Sequence, residues 1–190
     1  MFVYLITYDF FGSIKYTKGV DLTHMVLHIC SYSIMIQIKK NKKYRQEATK
    51  LAYSAMEIAK YVVNKCANDK RPISNLQLQK ILYYIQKEYL KSGDMAFGEA
   101  IEAWQFGPVV PNVYYEFAGS GAMPIDAKYD TFIKWNDRER IDRIVEEKRA
   151  LNPWDLVAES HRPCGPWASI YQDGKGYRHV IPIDLIREKG

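Results

Sequence analysis

The sequence has little of what common catalytic and metal-binding proteins require. Its three cysteines, Cys30, Cys66 and Cys164, are too few and too scattered for a disulfide framework. It contains no phosphate loop of the Gly-x-x-x-x-Gly-Lys type, no Gly-x-Ser-x-Gly elbow and no His-Glu-x-x-His motif. We therefore expect ordinary thiols in a reducing cytoplasm, no cofactor, and no nucleotide, esterase or zinc-protease site.

Long apolar runs are absent as well. The most apolar stretch, residues 24–38, contains two histidines, two serines, a tyrosine and a glutamine. It falls short of the roughly 18 apolar residues that a membrane helix needs. The chain also does not start with a basic segment followed by an apolar one. We expect neither a membrane partner nor a secretory signal.

A charge of one sign is missing from most of the chain. The formal net charge is +5, but residues 1–50 hold eight Lys and Arg against three Asp and Glu, which leaves nineteen against nineteen in the remainder. A nucleic-acid-binding domain usually carries a basic patch. Residues 51–190 are neutral, so nucleic acid is not an expected partner.

The first fifty residues differ from the rest in organisation. Residues 1–11 are apolar without a clean period, and residues 39–50 are a charged run. We predict that translation naturally starts at Leu51, read as methionine from a TTG or CTG codon. The codons CAG GAG GC for residues 46–48 would supply a ribosome-binding sequence at a suitable spacing. The alternative is a genuine N-terminal extension that caps the domain or binds a partner.

Two amphipathic helices open the body of the chain. Ser54 with Glu57 and Ser74 with Gln77 have the spacing of capping boxes. Each box precedes apolar residues at helical spacing: Ala55, Ile58, Ala59, Val62 and Cys66 in the first helix, and Leu78, Ile81, Leu82, Ile85 and Tyr89 in the second. We expect the first helix to end near residues 68–69 and the second at Gly93.

The period changes to two between residues 97 and 106. This alternation places Ile101 and Ala103 on one face, and Glu102, Trp104 and Phe106 on the other, as in a short strand or hairpin arm. Gly107 and Pro108 are expected to fix a turn. A third helix is predicted to start at Pro111 and to end at the glycines of residues 119–121.

Three further elements complete the expected fold. Asn136 with Glu139 should cap a fourth helix, and Asn152 followed by Pro153 should start a fifth. A short strand over residues 177–181 then precedes a terminal helical turn at Pro182. The sequence therefore predicts an α-rich α+β fold, a single domain of about five to six helices with a small antiparallel β element.

Catalytic residue types occur together at one place. His161 lies near Cys164, Glu159 and Asp155, which could indicate a hydrolase or a metal site. A histidine at a helix end more often binds the last carbonyls, and no second His/Cys pair at ligand spacing accompanies it. The spacing His24-x-x-x-His28-x-Cys30 would suit a metal on a helix. We expect that the protein is not an enzyme and holds no metal.

A carboxylate and an indole on one strand face, Glu102 and Trp104, could form a rigid recognition surface, because Trp is a common interface anchor. The alternative is that Trp104 and Phe106 fill a gap between the strand and the helices. In that case Glu102 caps a helix or pairs with Lys80.

The run Ile-Glu-Ala-Trp-Gln-Phe-Gly-Pro-Val-Val at residues 101–110 carries a family resemblance. Together with residues 76–84 and 113–114, His161 and Pro166-Trp167, it resembles the Panacea domain of SocA-type antitoxins over residues 53 to 186. The resemblance implies a cytoplasmic, phage-associated antitoxin that binds a toxin encoded beside it and catalyses no reaction. Some members deliver the toxin to a cellular AAA+ protease as adaptors.

The resemblance also suggests site residues. Partner-binding positions would be Gln79, Lys80, Glu102, Trp104, Tyr114, His161 and Trp167, with Gly107 and Pro108 as turn residues. The turn at residues 163–166 departs from the usual short spacing between the histidine and the tryptophan. The alternative function is a DNA-binding autorepressor or prophage regulatory protein, although the connection at residues 68–73 is longer than the 3 to 4 residues of a helix-turn-helix.

Overall fold

The structure, a computed structural model, describes residues 5–8, 14–17 and 53–190. The chain divides into two units, residues 1–47 and residues 48–190. In the first unit, β1 (Leu5–Tyr8) pairs antiparallel with β2 (Ile14–Thr17), and Leu5 lies opposite Thr17. The sequence pattern predicts no element here. The spacing of His24, His28 and Cys30 lies outside the described residues.

The second unit opens with the two expected helices, α1 (Ala55–Asn68) and α2 (Asn75–Lys91). Both capping boxes are formed. The Ser54 hydroxyl accepts from the Glu57 N–H, and the Glu57 carboxylate accepts from the Ser54 N–H at 2.8 Å. Ser74 and Gln77 repeat the arrangement at the start of α2. The predicted apolar positions of both helices are buried, so these local predictions are confirmed.

The remaining elements of the second unit are short except for one helix. They are β3 (Glu102–Trp104), β4 (Gly107–Val109), α3 (Pro111–Glu116), α4 (Trp135–Arg149), α5 (Pro153–Ser160), α6 (Pro166–Tyr171) and α7 (Ile183–Lys189). The described residues thus contain seven helices and a small antiparallel hairpin in this unit. The α-rich α+β fold class is confirmed. The sequence pattern does not predict helix α6, in which Pro166 occupies the first turn.

The strands β3 and β4 form an antiparallel hairpin with Glu102 opposite Val109 and Trp104 opposite Gly107. Residues 178–181 run along the other edge of β3. There the Arg178 N–H donates to the Ala103 carbonyl at 2.8 Å, and the Ala103 N–H donates to the His179 carbonyl at 2.9 Å. The strand predicted for residues 177–181 is reduced to an isolated bridge between Glu102 and Val180.

The start of α4 differs from the sequence prediction. The helix begins at Trp135 with Lys134 as its N-cap and without a side-chain cap, so Asn136 is not the capping residue. The Lys134 N–H instead donates to the Tyr53 hydroxyl at 3.0 Å. A residue more than eighty positions away therefore binds the N-cap backbone, and no side chain caps the first turn. Asn152 does cap α5, as predicted.

The helix α2 lies at the centre of this unit and contacts α1, α3, α4, α5, α7 and β4. Most of its side chains, from Leu78 to Gln86, are buried. A recognition helix of the helix-turn-helix type needs an exposed face that enters the major groove. The helix α2 does not offer such a face. In the described part of the chain, no helix has the length and apolar character required to cross a membrane.

Candidate functional site

Polar side chains on the buried face of α2 hold the backbone of the hairpin and of α3. The Lys80 ammonium donates to the Pro108 carbonyl at 3.0 Å. The Gln79 side chain accepts from the Val110 N–H at 2.9 Å and donates to Asn75, whose amide in turn donates to the Tyr114 carbonyl at 3.0 Å. These bonds satisfy backbone groups that no strand pairs. Gln79 and Lys80 are themselves fully buried, with exposed fractions of 1% and 0%.

Gly107 gives Lys80 the space that it occupies. Gly107 has φ +106°, and a Cβ built there would lie 2.8 Å from the Lys80 Nζ and 2.6 Å from the Ser160 Oγ. Both distances are too short for real atoms, so a side chain at this position would displace Lys80 or Ser160. Gly107 and Pro108 lie in β4 rather than in the turn, which residues 105–106 form.

Pro108 and Lys80 together close the outer edge of the hairpin. Because Ala103 directs its N–H and its carbonyl towards residues 178–179, its partner Pro108 directs its own carbonyl away from β3. Pro108 has no N–H, and Lys80 takes its carbonyl. This edge therefore cannot accept another strand by regular pairing.

A groove of about 410 Å³ lies beside the hairpin, between α2, α3 and α5. Its aromatic walls are Trp104, Phe106, Tyr114, Trp154 and Tyr177, and its polar groups are Asn75, Gln79, Lys80 and Gln105. We call this set the aromatic groove. It contains no Asp or Glu.

The aromatic side chains at the mouth of the groove are exposed. Phe106 is 47% exposed, Trp154 62% and Tyr177 46%, while Trp104 lies deeper at 9%. The rings of Phe106 and Trp154 meet edge to face at 5.7 Å, and Trp104 contacts Tyr114 at 4.9 Å. Large exposed aromatic side chains gathered at a concave site are typical of interfaces rather than of free surfaces.

An arginine covers the outer face of Trp104. The Arg178 guanidinium lies 4.7 Å from the ring centroid of Trp104 and donates to the Tyr115 hydroxyl at 2.8 Å. On the same strand face, the Trp104 indole N–H donates to the Glu102 carboxylate at 2.8 Å. Glu102 thus fixes the Trp104 ring and does not pair with Lys80, whose bond goes to the Pro108 carbonyl.

His161 and Trp167 do not line the groove, but Trp167 binds the backbone of Trp104, which does. Their rings stack at 3.5 Å with an angle of 1°, and the Trp167 indole N–H donates to the Trp104 carbonyl at 2.8 Å. Burial, together with the charge of nearby Lys80, lowers the pKa of His161 to about 4. Its Nε2 has no hydrogen-bond partner among the described residues. His161 is therefore a neutral stacking partner at pH 7.

The carboxylates near His161 in sequence are engaged elsewhere. The Glu159 carboxylate accepts from Lys148 at 2.7 Å, and the Asp155 carboxylate accepts from the side chain of Asn152. In the described part of the chain, no group of three or more His, Cys, Asp or Glu side chains is placed to hold a metal ion.

The structure brings most of the predicted partner-binding residues to one place. Gln79, Lys80, Trp104 and Tyr114 line the aromatic groove, Glu102 orients Trp104, and Trp167 supports its backbone. Sequence reasoning missed Trp154 and Tyr177, and it placed Phe106 on the strand face of Glu102 and Trp104 with core filling as the alternative. A tryptophan in the first turn of α5, outside the apolar stripe of that helix, was an available signal.

The fold and this site define an α-rich domain with an aromatic groove beside a small β-hairpin. The family described as Antitoxin SocA-like, Panacea domain matches residues 78–168. The chain is also 32% identical over 136 residues to Antitoxin SocA of Caulobacter vibrioides (strain NA1000 / CB15N), which covers 64% of this chain and 72% of that protein. The chain belongs to the SocA-like, Panacea-domain antitoxin family. No solved structure matches it.

Proposed function

We propose that this protein is the antitoxin of a toxin–antitoxin system and that it neutralises a toxin encoded beside it by direct contact. The observation that carries the proposal is the aromatic groove, with Phe106, Trp154 and Tyr177 exposed around a concave site of about 410 Å³. Family membership supports the antitoxin role. The groove supports binding rather than catalysis as the means.

The energetics of protein interfaces favour such a surface. A stable complex buries roughly 1,200 to 2,000 Å² in total, and a few Trp, Tyr or Arg side chains near the centre contribute most of the affinity. The groove offers Trp104 and Trp154 as anchors, with Arg178 at its rim. Trp104 is held by Glu102 and by its aromatic neighbours, so it loses little conformational entropy on binding.

The test of this proposal is growth rescue. The open reading frame next to this gene is induced alone, with the wild-type chain, and with a Phe106→Ala/Trp154→Ala double variant. We expect growth arrest by the neighbour alone, rescue by the wild type, and loss of rescue by the double variant. Trp135→Ala is the matched control, because it removes an indole that is 81% exposed but lies outside the groove.

The outcomes separate two parts of the proposal. A harmless neighbour, or arrest that the wild-type chain does not relieve, contradicts the antitoxin role. Rescue by the double variant leaves that role intact and contradicts the placement of the toxin at the groove.

Two modes of neutralisation differ in what happens to the toxin. Occlusion of a toxin surface leaves the amount of toxin unchanged, whereas delivery to a cellular AAA+ protease lowers it. We propose occlusion as the mode to test first, because a single groove suffices for it. The half-life of the tagged toxin, measured with and without this chain, distinguishes the two modes, and a shortened half-life would establish delivery.

The same rescue assay addresses the first fifty residues. We propose that residues 51–190 are sufficient, because the capping box of α1 and the contact of Tyr53 with the Ala96 backbone lie within them. Rescue by residues 51–190 at the level of the full chain is the expected result. Rescue by the full chain alone would assign residues 1–50 a role in binding or folding.

A further inference from the structure

Lys80 is a buried amine that has no counter-charge in the described part of the chain. Its side chain is 0% exposed, and its single hydrogen bond goes to the Pro108 carbonyl. No Asp or Glu of the described residues forms an ion pair with it, although Lys65, Lys91 and Lys148 all have such partners. An ammonium group has three N–H donors, so Lys80 retains donors that the described chain does not use.

Among the described residues, no packed element places a negative charge beside Lys80. Beside its ammonium, β4 contributes the Pro108 carbonyl, and α5 contributes the Ser160 hydroxyl and His161. On α2 itself, the other polar groups that line the groove are the neutral amides of Asn75 and Gln79. Burial alone lowers the pKa of Lys80 to about 7.

Lys80 also borders the aromatic groove, whose lining has no acidic residue. A carboxylate that enters the groove would therefore meet no negative charge. It could accept hydrogen bonds from Lys80, the one Lys or Arg of the lining. Because the exposed fraction of Lys80 is 0%, this contact requires a small displacement of the groove wall. The exposed Phe106 and Trp154 would cover an apolar neighbour of the acid.

We propose that the aromatic groove receives a glutamate or aspartate side chain of the partner, next to an apolar residue, and that this carboxylate pairs with Lys80. This rests on the proposed function, in which the groove is the contact surface for the toxin. The pairing supplies the counter-charge that the folded chain lacks, and a charge-assisted hydrogen bond in a desolvated site is stronger than one between neutral groups.

A side-chain carboxylate fits this site better than a chain terminus. Pockets for terminal carboxylates usually present several free backbone N–H groups. Here the Val110 N–H donates to Gln79, and the Tyr114 N–H donates to the Val110 carbonyl. The donor left for an anion is a side-chain amine, which reaches a carboxylate without a nest of backbone amides.

The test titrates the full-length chain with three N-acetylated dipeptides at pH 7.5, and NMR measures the affinity of each. They are N-acetyl-Trp-Glu-amide, N-acetyl-Trp-Gln-amide and N-acetyl-Trp-Gln with a free carboxylate end. We expect the Glu peptide to bind about tenfold or more tightly than the Gln amide, because it alone brings a side-chain charge to Lys80. Stronger binding of the free-ended Gln peptide than of the Glu peptide would contradict the side-chain assignment.

Lys80→Met removes the amine while keeping an apolar chain of similar length. In this variant we expect the Glu peptide to bind no better than the Gln amide. Retained binding of the Gln amide shows that the groove is intact. A preference for Glu that survives in Lys80→Met, equal binding of both peptides to the wild type, or binding of neither overturns the proposal.

A second measurement needs no variant. When a carboxylate pairs with a largely neutral amine at pH 8, the amine takes up a proton from the solvent. Calorimetric titrations in two buffers of different ionisation enthalpy should therefore show proton uptake with the Glu peptide and none with the Gln amide. Equal proton uptake with both peptides overturns the proposal.

The preference for the Glu peptide and the growth rescue can each fail without the other. If the wild-type chain rescues growth but shows no preference for the Glu peptide, the carboxylate assignment fails and the antitoxin role stands. If the preference is observed but no rescue occurs, the groove binds acids and the antitoxin role fails.

Discussion

The aromatic groove and the face formed by α1 and α4 differ in whether their charged side chains have partners of opposite charge. On the α1–α4 face the Lys65 ammonium lies 3.0 Å from Glu146 and 3.2 Å from Asp69, and Arg149 lies 2.6 Å from Asp69. The Tyr61 hydroxyl donates to Asp142 at 2.8 Å. Around the groove, by contrast, Lys80 has no acidic partner among the described residues and His161 is neutral.

This difference separates residues that hold the fold from residues available to a partner. On the α1–α4 face, Lys65 and Arg149 have acidic partners within the chain, so these charges do not depend on a partner protein for a counter-charge. The groove combines exposed aromatic rings with a buried amine that lacks a counter-charge among the described residues. Burial of this amine costs folding free energy. A partner that brings an opposite charge to this amine would offset the cost.

The largest expected effect comes from filling the space beside Lys80. Gly107→Ala should lower the free energy of unfolding by about 2 to 4 kcal/mol, because it adds close contacts with Lys80 and Ser160 to a strained φ. Gly93→Ala is the matched control. Gly93 has φ +84° but nothing within 4 Å of a built Cβ, so it should cost only about 1 kcal/mol.

Chemical denaturation of both glycine variants checks this prediction. Equal costs for the two variants would mean that the backbone angle alone decides the effect, and that the contacts with Lys80 and Ser160 contribute nothing.

The next effect concerns the mouth of the groove. Trp154→Ala should weaken toxin binding by about 2 kcal/mol or more, while the free energy of unfolding changes by less than about 0.5 kcal/mol, because this exposed ring adds contact area rather than core packing. Calorimetric titration with the purified toxin measures the affinity. Trp135→Ala, on α4, should leave the affinity unchanged, and equal losses in the two variants would remove the distinction between the two faces.

Lys80 should make stability depend on pH. The unfolded chain keeps a proton on this lysine up to about pH 10.4, whereas burial lowers the pKa of Lys80 to about 7 in the folded chain. The unfolded state therefore binds more protons between these values. The free energy of unfolding should rise with pH across this window by up to about 1.4 kcal/mol per pH unit.

Denaturation midpoints of the wild type and Lys80→Met at pH 7, 8 and 9 test this dependence. The variant should lose the slope, and Lys91→Met, at the exposed end of the same helix, should keep it. Identical slopes in the wild type and Lys80→Met would mean that the buried amine is charged throughout this range.

The smallest effect is expected on the α1–α4 face. Glu146→Gln removes one exposed partner of Lys65 and should cost about 0 to 1 kcal/mol of stability, because Asp69 and Asp142 remain close to the ammonium. Growth rescue should be unchanged. A loss of rescue without a loss of stability would assign the α1–α4 face a part in toxin binding.

Local signals in the sequence were sufficient for the first two helices and for α5. The capping boxes at Ser54 and Ser74, and the cap at Asn152, act within three residues of themselves, so their spacing could be read directly. The cap of α4 could not be predicted in this way. The N–H of its N-cap residue, Lys134, is bound by the hydroxyl of Tyr53, a contact that exists only after the chain has folded.

The site was predicted in part. The alternation at residues 101–104 correctly paired Glu102 with Trp104 on one face, where their side chains are bonded. The helical pattern left open whether Gln79 and Lys80 face solvent or the strand of Glu102, because a helical stripe with polar members fits both. The structure shows that they turn inward and hold the hairpin backbone. Trp154 and Tyr177 reach the groove from positions far along the chain.

The sequence by itself determined the α-rich fold class, the starts of α1, α2 and α5 and the family to which the chain belongs, because helical periodicity, caps and short motifs depend on neighbouring residues. Only the tertiary structure decided that Lys80 is buried beside a groove of exposed aromatic rings, with no counter-charge from the residues that the structure describes. Burial and the loss of a counter-charge depend on what distant segments place around a side chain. For Lys80 those segments are β4 and α5.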